Sequence, residues 1–121
     1  MILVDTSVWI DHLRHPDEKL QGLLQNDEVG MHPFVQLELA LGSIANREQV
    51  LADMALLPQA PLAAMDELFG LVELRGLCRK GIGVTDLHLV ASALLDKSIT
   101  IWTRDRRLGE IADELGVRAT R

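Results

Sequence analysis

A single cysteine, Cys78, stands among 121 residues. That scarcity excludes an intramolecular disulfide framework and a cysteine-based structural zinc site. Its surroundings, Leu74-Arg75-Gly76-Leu77-Cys78-Arg79, read as helix, where packing is the expected role. Long hydrophobic runs are also missing. The opening Met1-Ile2-Leu3-Val4 is far too short for a signal peptide or a membrane span, so no membrane partner and a reducing, cytoplasmic setting are the expectation. No low-complexity stretch, Gly/Ser linker or internal repeat interrupts the chain. A phosphate-loop glycine motif is absent, which disfavours a helicase- or kinase-like nucleotide enzyme. Positive charge is in short supply as well. Twelve Lys and Arg against 18 Asp and Glu leave a net charge of −6, at first sight a poor surface for nucleic acid.

What is present points to one compact unit. The length suits a single domain over residues 1–121, and 48% apolar residues argue against disorder. The charge is distributed unevenly. Residues 1–74 hold 3 basic and 12 acidic side chains, a balance of −9, and residues 75–121 hold 9 and 6, a balance of +3. Arg75, Arg79, Lys80, Arg104, Arg106 and Arg107 all fall in the second part. Singly each is an ordinary solvated side chain. As a group they allow a phosphate-facing surface.

Ile2-Leu3-Val4 is a short apolar run closed by Asp5-Thr6-Ser7, which predicts a buried strand. Thr6 or Ser7 is placed to cap a helix from Val8 to about Arg14. Pro16-Asp17-Glu18 reads as the first turn of a second helix, and Val29-Gly30-Met31 as a weak strand. Helices are predicted over Phe34–Gly42, Arg47–Leu57 and Leu62–Arg79. Thr85 or Asp86 opens another, with Leu87, Val90, Ala91 and Leu94 on one face. Thr100-Ile101-Trp102-Thr103 is a strand, a helix follows Asp105, and Val117–Thr120 is a candidate closing strand. Strands alternating with helices require a parallel sheet covered on both faces, so the class is α/β.

In such sheets the functional crevice lies beyond the carboxyl ends of the strands. Asp5 follows the first strand and Asp105 the later one; either is also a ready N-cap. Glu38 lies between Phe34, Val35, Leu41 and Gly42 on its helix, so the expectation is a carboxylate on an apolar face. There it must be neutral, hydrogen-bonded or near a cation, and a structural salt bridge is the alternative to a functional role. Asp86 suits a helix start, where it answers the helix dipole and can also project into the crevice. Unit charges ~4 Å apart repel by about 4 kcal/mol at an effective dielectric of ~20. Four convergent carboxylates therefore call for protons or a multivalent cation, and an all-oxygen set suits Mg²⁺ or Mn²⁺. His12, His15 and His32 have no ligand spacing, and His88 projects away from Asp86 on a helix.

Ile2-Leu3-Val4-Asp5-Thr6-Ser7-Val8-Trp9-Ile10-Asp11 resembles the opening of VapC-type PIN-domain proteins. Val35-Gln36-Leu37-Glu38-Leu39 is similar to that family's second acidic motif. Thr85-Asp86-Leu87-His88-Leu89-Val90-Ala91-Ser92-Ala93 resembles the third, and Thr103-Arg104-Asp105 the fourth. The resemblance covers essentially the whole chain. It implies an α/β/α sandwich and a Mg²⁺-dependent endoribonuclease (Mn²⁺ as substitute) acting on tRNA or ribosomal RNA. It further implies a homodimer silenced by a cognate VapB-like antitoxin. Asp5, Glu38, Asp86 and Asp105 become the acidic quartet, with Asp5 and Asp86 as direct metal ligands. Thr6, Ser7 and Thr103 become the supporting shell. Arg104 or Arg106 is a candidate clamp on the RNA strand. Leu24, Trp9 and Phe69 are candidates for a partner surface or for core. Many relatives carry an acid and a phenylalanine where this chain has Arg107 and Leu108, a departure that weighs against a second metal and toward substrate phosphate. Two alternatives stand beside this reading. One is a catalytically idle PIN fold that only binds; the other is a receiver-type signalling domain, which also gathers acids and Mg²⁺ at strand ends.

Overall fold

The computed structural model describes residues 1–120. In chain order the elements are β1 (Ile2–Val4), α1 (Thr6–Arg14), α2 (Glu18–Gln25), β2 (Val29–Gly30) and α3 (Pro33–Leu41). There follow α4 (Arg47–Ala55), α5 (Met65–Arg75), α6 (Val84–Leu95), β3 (Thr100–Trp102) and α7 (Arg106–Glu114). The three strands form a parallel sheet in the order β2-β1-β3. Leu3 and Val4 are adjacent in β1 and so point to opposite faces, yet both are buried. Both faces of the central strand are therefore covered, as a parallel sheet demands.

β1 pairs with β3 in the register Ile2–Thr100, Leu3–Ile101 and Val4–Trp102, and with β2 in the register Ile2–Val29 and Leu3–Gly30. The chain leaves β1 toward β2 on one side and has β3 on the other. The carboxyl end of β1 is thus a topological switch point, where α/β sheets open a crevice. Asp5 lies at that end, and its N–H donates to the Trp102 carbonyl at 2.9 Å. Continuing the register by one residue brings Thr103 beside Asp5.

Several boundaries differ from the sequence reading, each for a local reason. α1 starts at Thr6 because Asp5 itself is the N-cap residue, although its side chain does not cap. Asp17, not Pro16, opens α2, its carboxylate accepting the Leu20 N–H at 2.9 Å. The helix expected over Leu62–Arg79 is shorter, because Gly76 takes φ +60° and ends it there. Cys78 is consequently exposed in the turn beyond α5 instead of packed in a helix. The closing strand expected over Val117–Thr120 is reduced to one bridge between Ile101 and Arg118. His32 caps α3 by accepting the Phe34 N–H at 3.0 Å. Burial, and then the neighbouring His88, push its pKa down to about 4, which keeps that acceptor neutral. Trp9 is core, Leu24 is half-buried, and Phe69 is 69% exposed. No helix among the described residues is long and apolar enough to cross a membrane.

Candidate active site

Four carboxylates reach the crevice from four different places. Asp5 arrives on β1, Glu38 on α3, Asp86 on the first turn of α6 and Asp105 ahead of α7. Asp5 is only 5% exposed. Its Oδ2 accepts the Ser7 hydroxyl at 2.9 Å and the Thr103 hydroxyl at 2.8 Å. Both donors meet one oxygen, which leaves Oδ1 without a protein donor among the described residues. Thr103 Oγ1 in turn accepts the Asp105 N–H at 3.0 Å, and Ser7 Oγ accepts the Arg104 N–H at 3.2 Å. One hydroxyl network thereby links the end of β1 to the loop between β3 and α7.

The other acids follow the same pattern. Asp105 is the N-cap of α7, with Oδ1 accepting the Leu108 N–H at 2.9 Å and the second oxygen left over. Thr6 donates to Glu38 Oε1 at 2.7 Å, again leaving one oxygen. Asp86 stands three residues after the N-cap Gly83 and takes that N–H on Oδ2 at a long 3.5 Å. Each carboxylate is held through one oxygen, and the other has no protein donor among the described residues. Two expectations need correction here. Gly83, not Thr85 or Asp86, caps α6, because glycine there lets the third helical residue reach back to the cap N–H. Glu38 is exposed, not buried in an apolar face. The apolar neighbours Leu37 and Leu41 are themselves 55% and 81% exposed, so that side of α3 faces out.

Electrostatics ties Asp86 to the other three. Burial pushes the Asp86 carboxyl up from 3.8 to about 6, and the negative charges of Asp5, Asp105 and Glu38 push the same way against the Gly83 N–H. The charges that act on Asp86 most strongly are thus carboxylates, with no cation among them. Among the described residues no three Asp, Glu, His or Cys side chains form a group arranged to hold a metal ion. The charges of Asp5, Asp105 and Glu38 all reach Asp86, so the four acids share one neighbourhood. An all-oxygen set of this charge fits a hard divalent cation, with Asp5 Oδ1 and an Asp86 oxygen the residues' offer toward it.

The two arginines expected at the substrate both carry ion pairs within the chain. Arg104 holds Asp11 of α1 at 2.6 Å and Asp17 ahead of α2 at 2.7 Å, and its guanidinium lies 5.7 Å from the Trp102 ring centre. It braces the β3–α7 loop against α1 and α2, a bond that local sequence does not announce. Arg106 is 85% exposed and loosely paired with Glu110 at 3.6 Å. His88 is buried, stacked on Phe34 with ring centres 3.8 Å apart, and does not join the acids. Beside Glu38 a groove of about 380 Å³ runs between α1 and α3, lined by Ile10, Leu13, Arg14 and Ile44 among others.

The family model described as PIN domain matches residues 2–114. Ribonuclease VapC32 from two strains of Mycobacterium tuberculosis is 50% identical to this chain over 117 residues, spanning 97% of the chain and 94% of the relative. The match sets aside the receiver-domain alternative.

Two outcomes follow from the site's hydrogen bonds and charge. Thr103→Val removes a donor from buried Asp5 and an acceptor from the Asp105 N–H, so it is expected to cost about 2 kcal/mol in urea unfolding. Thr103→Ser is expected to keep most of that stability; a valine variant as stable as wild type would contradict the network. For Asp86 the native state binds more protons than the unfolded chain between pH ~4 and ~6. Its penalty is therefore absent at low pH, grows as pH rises through that window, and is full above it. Metal-free Asp86→Asn is expected to match wild type near pH 4 and exceed it at pH 7 by on the order of 2 kcal/mol. Parallel stability curves for the two proteins would refute the raised carboxyl.

Proposed function

The chain belongs to the PIN-domain family, and from that premise we propose that it is a divalent-metal-dependent endoribonuclease, the toxin of a VapBC-like toxin–antitoxin pair. The observation that supports this reading is that Asp5, Glu38 and Asp105 all act electrostatically on Asp86, while each of the four accepts side-chain hydrogen bonds through one oxygen only. The relative named Ribonuclease VapC32, half identical over nearly the full chain, supports the reaction class. Asp5 and Asp86 are the residues that would hold Mg²⁺, or Mn²⁺ in its place. Such an ion supplies a water of lowered pKa and neutralises charge on the scissile phosphate.

The chain's own groups set the geometry. Ser7 and Thr103 fix the plane of the Asp5 carboxylate, so its free oxygen is aimed without the entropy loss of a mobile acid. Asp105 is held by its cap bond beyond the carboxyl end of the neighbouring strand, and Glu38, exposed and steadied by Thr6, would orient the attacking water. RNA of tRNA or ribosomal type is the proposed substrate. An antitoxin segment covering the crevice is the proposed inhibitor, and the apolar groove beside Glu38 offers it a seat. A homodimer accords with the exposed apolar side chains of Met65, Phe69 and Val84, which a monomer leaves in water.

The test is cleavage of mixed tRNA and ribosomal RNA by the purified chain with Mg²⁺ or Mn²⁺, with EDTA, and with Asp5→Asn or Asp86→Asn. Partners outside the ligand shell are worth roughly 10–100-fold in activity, so each ligand substitution is expected to cost at least about 100-fold. Discrete, metal-dependent products that vanish in both variants are the expected result. Equal cutting by the variants, or none by folded wild type in any metal, would turn the assignment toward a PIN fold that only binds.

A further inference from the structure

The second half of the chain carries cations that the ion pairs above do not use. The side chains of Arg79, Lys80 and Arg107 have neither ion pair nor hydrogen bond among the described residues, and all three residues are exposed, whereas Arg104 and Arg118 are each held by a carboxylate 2.7 Å away or closer. Arg107 is nonetheless placed. Its side chain lies over the backbone of Gly81, so closely that a Cβ there would sit 2.7 Å from Arg107 Cδ and 2.8 Å from a guanidinium nitrogen. Gly81 has φ +77°, and two residues earlier Arg79 takes φ +66°, a left-handed conformation that costs a non-glycine residue free energy. The loop thus holds an arginine in a strained position and leaves a slot for another across it.

The position of this slot gives it meaning. Gly81 lies two residues before Gly83, whose N–H meets Asp86, and Arg107 lies two residues after Asp105. Arg107 therefore spans the two segments that deliver Asp86 and Asp105 to the crevice. Burial and neighbouring carboxylates act on Asp86 and no cation does, so Arg107 leaves the acids unneutralised. A guanidinium resting against the Gly81 backbone, with its donors unspent, is suited to a phosphate beside the reacting one.

We propose that Arg107, seated over Gly81 and flanked by Arg79 and Lys80, is a phosphate-binding shelf for the RNA strand next to the scissile bond. The inference rests on the nuclease reading for its substrate class, but its test does not need turnover. Binding of a fluorescein-labelled single-stranded RNA of mixed sequence is followed by anisotropy in EDTA across a salt series, with the full chain. Each phosphate contact to a single strand contributes about 0.7 to the slope of log affinity against log salt. Arg107→Ala is expected to weaken binding several-fold and to lower that slope by about 0.7. Arg107→Lys is expected to keep the slope and recover part of the affinity. Gly81→Ala keeps every charge but crowds the Arg107 side chain and strains the loop at φ +77°, and is expected to weaken binding as well. Lys97→Ala, beyond the far end of α6, serves as the unchanged control. In the metal-dependent cleavage assay the Arg107→Ala loss is expected on KM.

Wild-type affinity and slope in Arg107→Ala would overturn the shelf, as would failure of the wild-type chain to bind RNA. Binding that depends on Arg107 in a protein that never cleaves would leave the shelf standing and remove the catalytic reading. If Arg107→Ala spared RNA but weakened an acidic antitoxin peptide, the cations would belong to a protein contact and the proposal would fall.

Discussion

Asp5 lies nearly out of water at the end of the central strand, and a carboxylate at that depth is tolerated only because hydroxyls supply the donors that water would have given. Ser7 and Thr103 are those donors, and each also accepts from the backbone of the β3–α7 loop. The parallel register of β1 with β3 makes the arrangement possible by setting Thr103 next to Asp5 across 98 residues of chain. Strand pairing, loop conformation and acid orientation are therefore one constraint. Loss of any member leaves a buried polar group unsatisfied.

Around that fixed acid the remaining charges are arranged by sign. The acidic first part of the chain supplies Asp5 and Glu38, and the basic second part supplies Asp86, Asp105 and the unpaired cations Arg79, Lys80 and Arg107. Arg104 is spent on Asp11 and Asp17, so it strengthens the scaffold and leaves the crevice negative. The crevice gathers carboxylates, and the shelf proposed at Arg107 would set unpaired cations beside them. That division suits a site in which a divalent ion faces inward and a polyanionic strand crosses the rim.

Much of this could be read from local pattern. The Ile2-Leu3-Val4 run ending in Asp5, and Thr100 to Thr103 ahead of Asp105, placed two acids at strand ends because a buried parallel strand is apolar and the next polar residue marks its exit. Glu38 was legible as an acid in an apolar helix but not as an exposed one. A helical neighbourhood of Phe34, Val35 and Leu41 does not say whether that face meets the core or the open crevice. The start of α6 was displaced because glycine caps by backbone freedom alone, which carries no side-chain signature. Arg104 and Arg107 were equal cations in the sequence. Only tertiary partners separate the one gripped by two aspartates from the one lying over Gly81.

The central claim is that the crevice formed by Asp5, Glu38, Asp86 and Asp105 holds a divalent cation. Anomalous diffraction at the manganese edge, from crystals grown with Mn²⁺, tests it most directly. The account predicts a strong peak bounded by the free oxygens of Asp5 and Asp86, at the short distances of roughly 2.0–2.2 Å typical of small hard cations. It also predicts the loss of that peak in Asp86→Asn. A crevice with no peak, its carboxylates instead paired with basic side chains, would contradict it.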